Sequence, residues 1–446
     1  MRPNLLRDEG GGASSRHRVR RIRRLPRWAH LALVGSSIAT TACRSSAAPT
    51  VPAAALGIPT AVNGGLRFAT LSTSGDEACG LTTRGAAFCW GSVWALGGSI
   101  VPVAVGGGLS FASISVGETD TCAFTPSGVA YCWGEGPLTL GGTLGGSALP
   151  VAVSGRLSFG SMGVGSQMCG VTITGAGYCW SRWNGYGQLG TGSTTASFVP
   201  AVVSGGLSLV TIRASELYNA CGVTASGAAY CWGLNEFGQL GLGSATGPQR
   251  CGLTGSDPFP AGDPNNLACS LAPAKVAGGL ALTQVTAGAY FTCGLTPSGA
   301  AYCWGLNARG QLGNGGTSDS TCYNGPGGYG LLGTDQDSVP CNPAPVAVSG
   351  GLAFTSISAG FQHTCALTAS GVAYCWGQNY YGQLGTGTTD SSAVPIPVTG
   401  GLSFVTIGAG HAHTCALTTS GAAYCWGAMI CGSEAGVSYS CAATPL

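Results

Sequence analysis

The chain has 446 residues, 45% hydrophobic and only 8% charged, where an ordinary soluble domain carries roughly 25% charged residues. That excludes an acidic or basic disordered polymer. With 78 glycines and a single lysine the chain must be rich in turns and short strands, which excludes a helical bundle, and no run of 18 apolar residues is present to cross a bilayer as a helix.

The net charge of +2 conceals an asymmetry. Ten of the 18 basic residues lie within residues 1–44, against two acids there. The remainder carries eight basic and fourteen acidic residues, net −6, and so lacks the cationic surface that supplies most nucleic-acid affinity. Seven arginines from Arg16 to Arg27 precede an apolar stretch, Trp28 to Ala42, that ends in small residues before Cys43. This is the order of a secretory signal over 1–42, and the Ala42-Cys43 junction is similar to a bacterial lipoprotein cleavage site, making Cys43 the lipidation candidate. A basic nucleic-acid arm is the rival reading; the apolar run and the cysteines beyond it favour export. Residues 43–57, small and Pro-rich, suit a flexible tether.

From residue 58 to 446 one unit recurs seven times, each ending in Tyr/Phe-Cys-Trp, with tryptophans at 90, 133, 180, 232, 304, 376 and 426. A period of this size means a repeat architecture. Each unit alternates apolar with small or polar residues over short stretches broken by glycine-rich turns, about four strands per unit, and four-stranded sheets repeated radially make a propeller. The usual length prior of about three domains is therefore set aside. A short Pro-Val strand precedes each Gly-Leu start, and none follows the seventh tryptophan. The first of these, Ile58 to Val62, is thus expected to complete the last blade and close the ring.

The strings His-Thr-Cys-Ala-Leu-Thr-x-Ser-Gly (363–371 and 413–421) and Trp-Gly-x-Asn-x-x-Gly-Gln-Leu-Gly (232–241, 304–313 and 376–385) resemble the regulator of chromosome condensation repeat. The resemblance spans roughly residues 58–446 and implies an all-β, seven-bladed β-propeller. Blades 1, 2 and 7 lack the Gly-Gln-Leu-Gly string. The family includes a guanine-nucleotide exchange factor for a nuclear GTPase, but its exchange residues match no positions here, and an exported acidic body does not suit that role. Fold membership leaves activity open.

Seven cysteine pairs are spaced Cys-x9-Cys: Cys79 with Cys89, Cys122 with Cys132, Cys169 with Cys179, Cys221 with Cys231, Cys293 with Cys303, Cys365 with Cys375, and Cys415 with Cys425. A glycine lies six residues after the first cysteine of every pair. A three-residue hairpin loop ending in a left-handed glycine, Thr419-Ser420-Gly421, sets Thr418 opposite Ala422 and hence Cys415 opposite Cys425 at a non-hydrogen-bonded site, within disulfide range. Three further local pairs are Cys251 with Cys269, Cys322 with Cys341, and Cys431 with Cys441, leaving Cys43 as the odd cysteine of 21. Zinc ligation or buried free thiols are the alternatives, but a nine-residue gap is not the usual zinc spacing.

The 72-residue spacings place long loops between the third and fourth strands of blades 4 and 5, at 243–271 and 314–343, side by side on one face. They carry Phe259, Tyr323 and Tyr329 together with Asp257, Asp263, Asp319, Asp335 and Asp337. Nearby loops add Trp183, Tyr186, Phe237, Tyr380 and Tyr381. Rigid aromatics on stapled loops suit recognition of a protein or glycan. No Asp-x-Asp-x-Asp-Gly calcium loop is present. The residue two before the first cysteine gives a second constellation, His363, His413, Glu77 and Asp120 on contiguous blades 6, 7, 1 and 2, a candidate metal or pH-sensitive rim; the plainer reading is that each satisfies local backbone groups. No nucleophile elbow, phosphate loop or zincin motif appears, and no cofactor is expected. The sequence therefore reads as a monomeric, exported, lipid-tethered, non-catalytic binding scaffold of the bacterial cell envelope, with no nucleic-acid partner. A cell-envelope hydrolase or lyase working at the propeller axis is the alternative.

Overall fold

The computed structural model describes residues 57–91, 98–135, 146–251, 267–316, 320–323, 338–434 and 437–441, with Tyr323 and the strands beyond residue 428 described by their backbone. The signal segment, nearly all of the tether and Cys43 lie outside these residues, as do Phe259, Tyr329 and the five aspartates of the two insertions.

Blade 1 runs Phe68–Ser74, Glu77–Thr82, Ala87–Gly91 and Ser99–Ala104, antiparallel in sequence order. Blades 2, 3 and 6 repeat that order. Blade 7 takes three strands from Phe404–Ala409, His413–Thr418 and Ala423–Gly427, and its fourth is Thr60–Ala61, with Thr60 opposite Cys425 and Ala61 opposite Tyr424. The first strands of neighbouring blades touch all the way round, blade 7 to blade 1 included, so they form the inner wall of a closed seven-bladed ring. Closure by the N-terminal strand is as the missing eighth Pro-Val segment foretold.

Blades 4 and 5 differ from the four-strand expectation. Their fourth strands lengthen to Leu267–Lys275 and Ser338–Ala347, and each insertion folds back as a fifth, outermost strand, Gln249–Cys251 and Ser320–Tyr323. Disulfides from Cys251 to Cys269 and from Cys322 to Cys341 bridge these strands to the fourth. After the last tryptophan, Met429–Glu434 and Val437–Cys441 form a hairpin; Cys431 and Cys441 sit on its two strands, and their side chains lie outside those described.

The core lies between blades. Cys79, Leu81 and Cys89 of blade 1 pack against Phe111, Ile114, Val116 and Trp133 of blade 2, and equivalent clusters fill the other joints. Each repeat thus buries its apolar face only against its neighbour, which is why one unit alone would not be stable.

All seven Cys-x9-Cys pairs form disulfides between the second and third strands of their blades, with α-carbons 4.0–4.1 Å apart. In blades 1 to 4 Cys79 is joined to Cys89, Cys122 to Cys132, Cys169 to Cys179 and Cys221 to Cys231. In blades 5 to 7 Cys293 is joined to Cys303, Cys365 to Cys375 and Cys415 to Cys425. The pairing is the one the spacing predicts, and the turn chemistry sets its register. Gly421 takes a left-handed φ of 77°, its N–H donates to Thr418 O at 2.8 Å, and Thr418 N–H donates to Ala422 O at 3.0 Å, leaving Cys415 opposite Cys425. In the chain-entropy account each such bridge contributes roughly 2–3 kcal/mol.

The Asn-x-x-Gly-Gln-Leu-Gly string has a mechanical explanation. Asn235 Oδ1 accepts from Leu240 N at 3.0 Å and Gln239 Oε1 from Phe237 N at 2.9 Å, which folds the loop so that the Gln239 carbonyl points into blade 5. There it accepts from Trp304 Nε1 at 3.0 Å and Thr292 Oγ1 at 2.9 Å. Gln311 and Gln383 engage Trp376 with Thr364, and Trp426 with Thr414, in the same way, and Gln188 engages Trp232. The glycine closing the string must be bare: Gly241 has φ +71°, and a Cβ there would lie 2.7 Å from Trp304 Nε1.

Thr414 also meets His363 Nε2 at 2.9 Å. Replacing it by valine should leave the Gln383 carbonyl without its second donor and the imidazole without a partner, at a cost of roughly 1–3 kcal/mol in denaturant titration. A Thr414→Val protein as stable as the parent would remove the hydroxyl from the account.

Candidate functional face and axial mouth

In an antiparallel blade the first-to-second and third-to-fourth loops open on one face, and the second-to-third hairpins on the other. The first face therefore carries the two insertions, the Gly-Gln-Leu-Gly loops and the tips around the ring axis. The opposite face carries the tight hairpins and the connections from each fourth strand to the next blade.

At the axis, four titratable side chains on different blades come near one another: Asp76 of blade 1, Glu118 of blade 2, Glu216 of blade 4 and His411 of blade 7. Glu216 reaches across the ring, its Oε1 accepting from Ser74 Oγ and from Gly75 N, each at 2.8 Å. His411 N donates to Gly75 O at 2.7 Å, and its ring lies 4.1 Å from that of Phe361 in blade 6. Glu216 is buried, whereas Glu118, His411 and the nearby Arg182 are exposed. Burial pushes the Asp76 carboxyl up; His411 opposes this and Glu216 adds to it. Glu118, although it reaches solvent, is raised first by the partial desolvation of the mouth and then by Glu216, with His411 and Arg182 acting against. The mouth is thus an acidic ring with one imidazole, bridged by the Glu216 side chain.

On blades 3 to 5 the same face holds a belt of packed aromatics. Trp183, Tyr186 and Tyr218 form a triangle with centroids 4.5–5.5 Å apart, and Phe237 meets Tyr290 at 4.9 Å. These rings join Cys251, Leu267 and Cys269 of one insertion and Cys322, Val339 and Cys341 of the other in a single apolar cluster. The described parts of the two insertions thus lie together.

The sequence-derived binding candidates divide accordingly. Tyr186 and Phe237 are each only 5% exposed and act as packing beneath the face; Trp183 is partly buried against them. Tyr380 and Tyr381 are 51% and 52% exposed, and the Arg309 guanidinium lies 5.3 Å over the Tyr380 ring. Phe259, Tyr329 and the side chain of Tyr323 lie outside the described residues.

The four rim candidates are buried between blades and do not edge the mouth. His363 and His413 have no exposed surface, and Glu77 and Asp120 have less than a tenth. Glu77 Oε1 accepts from Thr121 Oγ1 of blade 2 at 3.2 Å, as His363 meets Thr414 of blade 7. The structure brings them to no common ligand shell. Among the described residues the one close grouping of metal-ligand types is Glu77 with Cys79 and Cys89, whose sulfurs are joined in a disulfide and offer no thiolate. Burial drives the His363 imidazole down to about 3 and His413 down to about 4, with neighbouring imidazoles adding to the shift, so both are neutral near pH 7. Burial raises Glu77 to about 7; the Thr121 bond opposes this and Asp120 adds to it.

Models of the regulator of chromosome condensation repeat match residues 226–295, 298–367 and 370–417, with a second form matching 282–311, 354–383 and 404–433. Over residues 226–433, a little under half of its length, the chain is similar to the regulator of chromosome condensation repeat. Among curated relatives, the ultraviolet-B receptor UVR8 of Arabidopsis thaliana is 30% identical over 227 residues, 50% of this chain and 41% of that protein. The mitochondrial RCC1 domain-containing protein RUG3 of the same plant is 29% identical over 233 residues, 52% of this chain and 44% of that one. The matched part therefore spans less than half the length of these relatives. In fold, the chain is similar to Prp20p of Saccharomyces cerevisiae, with a TM-score of 0.60 at 18% identity over 80% of this chain and 81% of that one. Human WBSCR16 gives 0.61 at 15% identity over 83% and 88%.

The axial cluster was missed in the sequence because its members sit at unequal offsets from their cysteines: Asp76 three before, Glu118 and His411 four, Glu216 five. The usable signal was charge scarcity, since four of the few titratable residues of the body fall in first-to-second loops.

Titration should separate the buried groups. His363 and His413 ionise more readily unfolded, so their contribution is present above about pH 6.5 and lost as pH falls toward 4. Glu77 has the opposite sign: its folded pKa is raised, so stability is lost as pH rises from 4.5 to about 7. Glu77→Gln, which keeps an acceptor for Thr121, should raise the melting temperature at pH 8, by a stabilisation on the order of 3 kcal/mol, and change little at pH 4.5. Equal effects at both pH values would contradict the burial of a charged Glu77.

Proposed function

We propose that this chain is a non-catalytic recognition scaffold, exported and lipid-tethered through Cys43, that binds a protein through the face carrying the axial mouth and the two insertions. The observation that carries this reading is the concentration of irregular loops, exposed aromatics and loop charges on that face. The acidic mouth, the exposed Tyr380 and Tyr381, and both disulfide-stapled insertions share it, while the opposite face is built of short repeated hairpins and blade-to-blade connections. The exposed Tyr380 and Tyr381, on the same face as a charged centre, suit a partner that offers a basic side chain to the mouth and apolar surface to these rings. Nine disulfides support an oxidising, extracytoplasmic compartment. Prp20p, similar in fold, is described as binding Gsp1p and histones, which supports a protein as the class of ligand.

The second reading, a hydrolase or lyase at the axis, draws on the same mouth, where carboxyls with raised pKa stand beside His411.

Affinity capture from the organism's envelope and culture fluid separates the two. The intact propeller should retain a protein that is lost when the insertions are trimmed, and Asp76→Asn with Glu118→Gln should weaken that complex roughly tenfold or more. Capture of a glycan in place of a protein would change the ligand class. Turnover of an envelope polymer abolished by the same substitutions, with no retained partner, would establish the enzyme.

A further inference from the structure

Opposite the first disulfide cysteine of each blade, the innermost strand carries one residue at the same height: Ser72, Ser115, Gly163, Arg213, Thr286, Ser358 and Gly408. The seven form one layer around the axis, below the mouth. In four blades the hydroxyl oxygen accepts from a backbone N–H of the next blade. Val116 N donates to Ser72 Oγ at 3.0 Å, Val164 N to Ser115 Oγ at 3.1 Å, Ala359 N to Thr286 Oγ1 at 3.0 Å and Ala409 N to Ser358 Oγ at 3.0 Å. Each oxygen is thereby used as an acceptor, and its hydrogen is donated to no described group. All four side chains keep partial accessibility.

Arg213 is the one charged side chain in the seven innermost strands. Its hydrogen bonds all leave from Nη1, to Ile212 O at 2.9 Å, Met162 O at 3.3 Å and Thr211 Oγ1 at 3.4 Å. No carboxylate pairs with it among the described residues. Burial lowers its pKa, with no charged neighbour contributing. The Nε/Nη2 edge, whose parallel N–H groups match two oxygens of a carboxylate, phosphate or sulfate, has no partner among the described residues. Arg213, like the four hydroxyl residues, keeps partial accessibility, so its free edge stays open to a ligand in the axial layer, and a partly desolvated cation without a counterion still costs free energy. Hydroxyls able to donate, in the same axial layer as that cation, offer an anion seated there further partners.

We infer that this axial layer binds one oxyanion of phosphate or sulfate size, gripped by the Nε/Nη2 edge of Arg213 and completed by the hydroxyls of Ser72, Ser115, Thr286 and Ser358. The inference is independent of the partner-binding face. A carboxylate from a protein side chain would present the same chemistry, and the test separates the two sources.

The experiment is isothermal titration of the full chain with inorganic phosphate, with sulfate and, in a parallel arm, with acetate, all against chloride at constant ionic strength. Saturable one-to-one binding of phosphate or sulfate, tighter than acetate, is expected. Arg213→Met should weaken it at least tenfold, and Arg213→Lys, which keeps the charge without the fork, should weaken it measurably. Because Arg213→Met changes a strand residue, the Ser72→Ala/Ser358→Ala protein gives a second reading, with folding followed by circular dichroism: affinity should fall several-fold. Absence of saturable binding, binding unchanged in either variant, or tighter binding of acetate would each overturn the inference.

Discussion

Each latched joint of the ring depends on one backbone carbonyl. The Gly-Gln-Leu-Gly loop of one blade delivers the carbonyl of its glutamine to the indole of the next blade's tryptophan, and from blade 5 onward also to a threonine hydroxyl. Net, each bond is worth about 1 kcal/mol, but a buried indole N–H without an acceptor costs more than the bond gains. Where the string is missing the effect is visible. Trp90 and Trp133, facing blades 7 and 1, have indole nitrogens with no partner among the described residues. At the blade 7–blade 1 joint Ala78 stands where Thr414 serves the preceding joint, and both nitrogens of His413 are likewise without one, whereas His363 Nε2 meets Thr414. The disulfides are shared by all blades, so the latches make the joints unequal.

Much of this architecture was legible because it obeys short rules. A period of two, a left-handed glycine and a three-residue turn fix the register of Cys415 against Cys425, and the same arithmetic holds in every repeat, from Cys79 against Cys89 to Cys365 against Cys375. The closing strand was legible by counting Pro-Val segments. The fifth strands of blades 4 and 5 were not, because Gln249–Cys251 and Ser320–Tyr323 are too short to carry a pattern of their own and form by pairing with lengthened neighbours.

The candidate site shows where such rules stop. Reading every repeat at a fixed distance from its cysteine selects Glu77, Asp120, His363 and His413, which the regular strands bury between blades. The residues that reach the axis lie in loops of unequal length, so no single offset finds them. Tyr186 and Phe237 likewise read as surface aromatics in a loop, yet the stapled insertions fold over them and make them core. A loop's sequence does not say what will cover it. The outcome is a face whose rigidity comes from buried rings and disulfides, and whose chemistry comes from the few charges the chain has. Its two electrostatic features are separated in height, an acid ring at the mouth and one arginine in the layer below.

The latch account is tested most directly by native-state hydrogen–deuterium exchange resolved by blade on the full chain. It predicts that the second and third strands of blades 4 to 7 exchange slowest, and that those of blades 1 and 2 open at lower free energy despite identical disulfides. Uniform protection around the ring, or greatest protection in blades 1 and 2, would contradict it.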